Sequence, residues 1–186
     1  KMHTIVQHLK NKFTDTSTLH FNALGEFVKE IDINSITYKE HLPPIPKNGD
    51  YGRNIMLLEP LECVLLYWPP KSESAIHYHA GFWGYVLVVE GYGDNIEYSM
   101  KNGVLTETKN IRAYPGGIMS EPDGIIHKIV NPSNTETLVT IHFYYPALDN
   151  LNNLVIYGED GKLGVLNEKA SCAFFQEPVE NFKKLE

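Results

Sequence analysis

Cysteine is scarce in this sequence. The 186 residues contain two, Cys63 and Cys172, so no disulfide framework is implied and a reducing cytoplasm is the expected setting. Positive charge is also short. Sixteen Lys and Arg stand against 23 Asp and Glu, a formal net charge of −7. Without a basic excess to neutralise phosphates, no nucleic-acid and no anionic-membrane partner is expected. Long apolar runs are missing too: stretches such as Val64–Tyr67 and Tyr85–Val89 fall far below the roughly 20 residues of a membrane helix. No charged-then-apolar leader opens the chain, so secretion is not indicated. No repeat of fixed period and no low-complexity tract occurs.

What is there describes a folded chain. Apolar residues make up 42% and charged residues 21%, a globular rather than a disordered composition. At roughly 150 residues per domain, this length means one domain, residues 1–186. Eleven Tyr, eight Phe, 14 Gly and 11 Pro favour strands broken by many turns.

The apolar pattern changes along the chain. In His3–Phe13, Ile5, Leu9 and Phe13 recur at helical spacing. In Thr18–Ile31, Phe21, Leu24, Phe27, Val28 and Ile31 form one apolar face, with Thr18 as the expected N-cap. Residues 1–42 therefore form a helical extension. Leu42–Gly52, rich in Pro and Gly, is a loop. Nine strands follow: Arg53–Leu58, Leu61–Trp68, Ala75–His79, Gly84–Glu90, Asn95–Met100, Val104–Ala113, Gly117–Ser120, Gly124–Val130 and Thr137–Tyr145. Turns every 8–12 residues predict an all-β sandwich or small barrel over 50–146. Residues 147–186 read as a peripheral C-terminal segment.

Eight histidines occur: His3, His8, His20, His41, His77, His79, His127 and His142. His77 and His79 are one residue apart. On a strand, alternate side chains share a face, so both imidazoles point the same way, as two ligands of one metal require. An H-x-H is a weak signal by itself, expected by chance about a third of the time at this histidine frequency. The segment around His127 is more specific. Gly116, Pro122, Gly124, His127 and Asn131 match G-x5-P-x-G-x2-H-x3-N without a miss, where chance gives on the order of 10⁻⁴.

This segment resembles the second signature of the cupin superfamily. The first signature, G-x5-H-x-H-x3,4-E-x6-G, is matched at His77, His79 and Gly91. Lys71 replaces its first glycine and Gly84 its glutamate. The resemblance implies an all-β cupin fold, a double-stranded β-helix or jelly-roll barrel, with short N-terminal helices. It also implies a metal held by His77, His79 and His127 without the usual carboxylate. Three neutral imidazoles accept Fe(II), Zn(II) or Ni(II) and leave positions open for an anionic ligand. Glu121 and Asp123 flank His127 and are the residues able to restore a carboxylate, but neither has the place of the lost glutamate.

Three histidines on a cupin resemble the thiol dioxygenases. Tyr51-Gly52-Arg53-Asn54 looks like that family's Y-x-R-N segment, whose arginine binds the substrate carboxylate. Thr140-Ile-His142-Phe-Tyr144-Tyr-Pro146 looks like its S-x-H-x-Y-S-P segment, a hydrogen-bonded relay beside the iron. The strand period agrees independently, because Leu138, Thr140, His142 and Tyr144 share one face. Over Tyr51–Pro146 the chain is similar to bacterial cysteine dioxygenases of type I. The resemblance implies Fe(II) as cofactor and L-cysteine and O₂ as substrates, with cysteine sulfinic acid as product. It also implies Arg53, helped by Tyr51, as carboxylate clamp, and Tyr144, His142 and Thr140 as the catalytic relay. Gly84 replaces the cysteine that animal members crosslink to the tyrosine at the Tyr144 position, so this chain lacks that crosslink. Three other readings stay open, the first two being a dioxygenase for another thiol such as 3-mercaptopropionate and a cupin that binds metal or ligand without turning it over. A zinc or nickel cupin with isomerase or hydrolase chemistry is the third. Oligomeric state is not legible. Cys63 and Cys172 read as packing thiols.

Overall fold

A computed structural model describes residues 2–45, 50–158 and 160–186. Two helices come first, α1 (Met2–Lys12) and α2 (Phe21–Lys29). The nine expected strands follow, with ends shifted by one or two residues: β1 (Gly52–Leu57), β2 (Glu62–Trp68), β3 (Ile76–Tyr78), β4 (Trp83–Glu90), β5 (Gly93–Lys101), β6 (Val104–Ala113), β7 (Ile118–Glu121), β8 (Ile126–Val130) and β9 (Leu138–Tyr145). They form two antiparallel sheets, ordered β1-β2-β9-β4-β7 and, over the strands named so far, β3-β8-β5-β6. This is the all-β cupin architecture with short N-terminal helices.

The second helix starts later than the sequence suggests. Thr16–Thr18 forms a separate 3₁₀ turn capped by Asp15, and extended backbone at Leu19 and His20 breaks the helical run. His20 rather than Thr18 is the N-cap: its Nδ1 accepts from the Ala23 N–H at 3.3 Å. Of the expected loop Leu42–Gly52, residues 46–49 lie outside the described residues, and Gly52 already begins β1.

The five-stranded sheet is buried on both faces. Along β2, Val64, Leu66 and Trp68 point into the barrel, while Cys63 and Leu65 point to the helices. That double burial removes the polar–apolar alternation from β2 and β9 and leaves near-continuous apolar runs. Met2, Ile5, Leu9, Leu24 and Val28 close the outer face.

The C-terminal segment differs from the peripheral tail expected of it. It supplies β10 (Val155–Tyr157), β11 (Leu163–Leu166) and β12 (Phe182–Leu185), which extend the second sheet outward from β3. Ile156, Leu166, Cys172 and Ala173 join the barrel core. Polar and charged runs between them, such as Asn167-Glu168-Lys169, hid these anchors. Leu166 is fully buried, so Leu166→Ala is expected to cost about 2–5 kcal/mol in denaturant unfolding. A loss below about 0.5 kcal/mol, as for a surface residue, would show that the tail does not belong to the core.

Candidate metal centre and its polar surround

The register of β3 on β8 places His77 directly opposite His127, and His79 lies just beyond β3. One nitrogen from each of the three rings lies within 4.8 Å of the others, the one such cluster among the described residues. His79 and His127 are buried and His77 is partly so. None of the three is free to turn. The His77 Nδ1 faces the Ala75 carbonyl at 2.9 Å, and the His127 Nδ1 faces the Asn95 Oδ1 at 2.7 Å. Phe82 stacks on the His79 ring at 4.2 Å. Both oxygens accept, so the ring proton of His77 and of His127 sits on Nδ1 and leaves Nε2 as a bare lone pair.

Burial keeps these rings uncharged. It lowers His77 to about 4 and takes His79 and His127 well below their ordinary value, each ring also disfavouring charge on the next. The short approaches of Glu121 to His79 and His127 are therefore not ion pairs. The His79 and His127 Nε2 atoms stand 3.0 Å apart. The His79 Nδ1 and Glu121 Oε1, both buried, have no hydrogen-bond partner. A set of neutral nitrogen donors converging beside a carboxylate fits a divalent first-row metal.

The opposite sheet contributes a second constellation. Thr140, His142 and Tyr144 do share one face of β9. They form a chain whose direction is forced at one end, because the Trp68 indole only donates. Trp68 Nε1–H donates to Thr140 Oγ1 at 2.9 Å. Thr140 donates to His142 Nε2 at 2.8 Å. His142 Nδ1–H donates to the Tyr144 hydroxyl at 2.7 Å, and that hydroxyl donates to Glu121 Oε2 at 2.9 Å. Burial, with Arg53 nearby, lowers His142 to about 3, so it carries one proton and passes the direction on. Burial and the Glu121 carboxylate hold the Tyr144 phenol well above its ordinary value.

Arg53 and Tyr51 line the same small cavity as His77, His79, His142 and Tyr144, a space of about 50 Å³ that opens to solvent. The Arg53 Nη2 sits 3.4 Å from the Oε2 of the buried Glu62, whose Oε1 accepts from the Leu148 N–H at 2.7 Å. Tyr51 stacks on Trp68 at 4.3 Å, and its hydroxyl accepts from the Ala173 N–H at 2.6 Å. The C-terminal segment thus holds one wall of the cavity.

Three residues at the site went unassigned in the sequence: Glu62, Trp68 and Asn95. Glu62 carried a signal, a charge in period-two step with Val64, Leu66 and Trp68. Glu121, which the motif places away from the lost glutamate, lies beside the cluster because β7 pairs it with Gly84. Asp123 does not: it is exposed and accepts from the Gly81 N–H at 2.8 Å. Cys63 and Cys172 are buried, with their thiols pushed up by burial.

The cysteine dioxygenase type I family matches residues 50–155, more than half of the chain. Among solved structures, a double-stranded β-helix protein of Klebsiella pneumoniae subsp. pneumoniae is similar at 24% identity. The match covers 60% of this chain and 88% of that one, with a TM-score of 0.43. The Schizosaccharomyces pombe Cnp3 cupin domain is similar at 11% identity over 61% and 70%, with a TM-score of 0.44. TT1209 from Thermus thermophilus is similar at 15% identity over 61% and 98%, with a TM-score of 0.47.

Neutral buried histidines set an acid limit for the metal-free protein. Their folded values lie below the ordinary 6.5, so below about pH 6.5 the unfolded chain binds more protons and stability falls. Glu121 has the opposite sign. Raised from 4.5 to about 8 by burial, it contributes stability below pH 4.5 that is lost as pH rises through 8. Asp50, raised by burial to about 6, and Glu62, also raised by burial, act in the same sense as Glu121, and four imidazoles outweigh these three carboxyls between pH 4.5 and 6.5. The denaturation midpoint of the metal-free chain is expected to fall as pH drops through that window, and a flat or rising midpoint would contradict the uncharged cluster.

Proposed function

The chain belongs to the cysteine dioxygenase type I family, and from that premise we propose that it is an Fe(II)-dependent dioxygenase of small carboxylated thiols, with L-cysteine as substrate. The observation that carries the reading is a cluster of three neutral imidazoles, two of which, His77 and His79, line the cavity that the Arg53 guanidinium also lines. His77, His79 and His127 would hold the metal. Bound iron supplies the one-electron redox steps by which O₂ adds to a thiol, RSH + O₂ giving RSO₂H.

The chain's own residues provide positioning and electrostatics. Arg53 presents a guanidinium to the substrate carboxylate, a charge-assisted and directional contact. Glu62, anchored by the Leu148 N–H, holds that guanidinium against the cavity wall. Tyr51 and Phe82 supply apolar walls that exclude water and fix the substrate. Trp68, Thr140 and His142 orient the Tyr144 hydroxyl, so its proton has one defined resting direction, toward Glu121. An incoming ligand with a stronger acceptor draws that proton toward itself.

Oxygen uptake by the Fe(II)-loaded protein tests this, with L-cysteine and 3-mercaptopropionate compared side by side. Uptake with cysteine and formation of cysteine sulfinate is the expected result. Arg53→Gln is expected to raise KM for cysteine about 10- to 100-fold and to change kcat less, as for a lost charge-assisted contact. No thiol-dependent uptake would remove the dioxygenase reading. An unchanged KM would remove Arg53 as the clamp.

A further inference from the structure

The register of the five-stranded sheet leaves one carboxylate unexplained. Glu62, Tyr144, Gly84 and Glu121 lie in one row across β2, β9, β4 and β7. Gly84 has the place where the H-x-H signature carries its glutamate, and no side chain fits there. A Cβ would collide with the Phe143 carbonyl and stand 2.6 Å from the Tyr144 ring. The residue paired with it on the next strand is Glu121. Its Oε2 is 3.4 Å from the His79 Nε2 and 3.7 Å from the His127 Nε2. Donors that share one ion at about 2.1 Å stand about 3.0–3.4 Å apart at octahedral or tetrahedral angles, within a few tenths of these spacings.

Two independent observations say that this carboxylate lacks a cationic partner. It is fully buried, and its Oε1 makes no hydrogen bond. The arginine of the cavity is paired with Glu62 instead. Three neutral imidazoles would leave both charges of a dication uncompensated in a dry site, which is costly.

We propose that Glu121 is the fourth protein donor to a divalent first-row metal at His77, His79 and His127, supplied from β7 in place of the carboxylate that β4 cannot carry. Oε2 has lone pairs for both the ion and the Tyr144 hydroxyl, so the donor also ties the relay to the metal. The bound centre then carries one net positive charge rather than two and one fewer open position. This rests on the metal-site reading above.

Zinc, a redox-inert probe, separates the two. The experiment is a crystal structure of the zinc-loaded wild-type chain, with zinc affinity by chelator competition for wild type and Glu121→Gln. A Glu121 oxygen at about 2.0–2.2 Å from zinc, and affinity about 100-fold or more weaker in Glu121→Gln, are expected. Zinc on the three histidines with both Glu121 oxygens beyond bonding distance of the ion overturns the proposal, whatever the affinity, and leaves the metal site standing. Zinc absent from the histidines overturns both.

Discussion

Three imidazoles must meet in a dry place and stay uncharged there. Most other features of the structure serve that constraint. A lone pair binds a metal only if the ring is neutral, and burial lowers each ring far enough to keep it so at neutral pH. The rings must also be prevented from turning, which the Ala75 carbonyl, the Asn95 side chain and the Phe82 ring accomplish. Neutral, oriented and convergent donors cost stability when nothing lies between them. The barrel core and the helix-covered outer face supply the stability that offsets this.

The two sheets divide the work. The strands of the second sheet bring in the histidines and their orienting partners. The five-stranded sheet brings in the arginine, two buried carboxylates and the relay from Trp68 to Tyr144. The chemistry sits where the inner faces meet. The C-terminal segment closes one wall through Ala173 and the Tyr51 hydroxyl, so binding and stability share residues that are distant in sequence. Each carboxylate faces a different positive charge. Glu62 meets Arg53, and in our proposal Glu121 meets the cation held by the histidines.

Much of this was legible in the sequence where the signal is local. Period two put His77 beside His79 and aligned Thr140, His142 and Tyr144. Turn residues marked nine strands to within two residues. Register was not legible. Nothing in the order of residues says that Glu121 lies opposite Gly84, because β4 and β7 meet only after two intervening strands. The burial of the tail is not legible either, because its short apolar stretches are separated by polar runs and their burial is decided by β3 and β10 pairing. The N-cap moved from Thr18 to His20 because backbone extension at Leu19 overrode side-chain preference.

The account stands on one cation held by three specific rings. Iron content after anaerobic Fe(II) loading and desalting, measured by mass spectrometry for wild type and His127→Ala, tests it most directly. One iron per wild-type chain, with almost none retained by His127→Ala, is the predicted result. A wild-type chain that retains no iron, or a variant that retains as much as wild type, would contradict it.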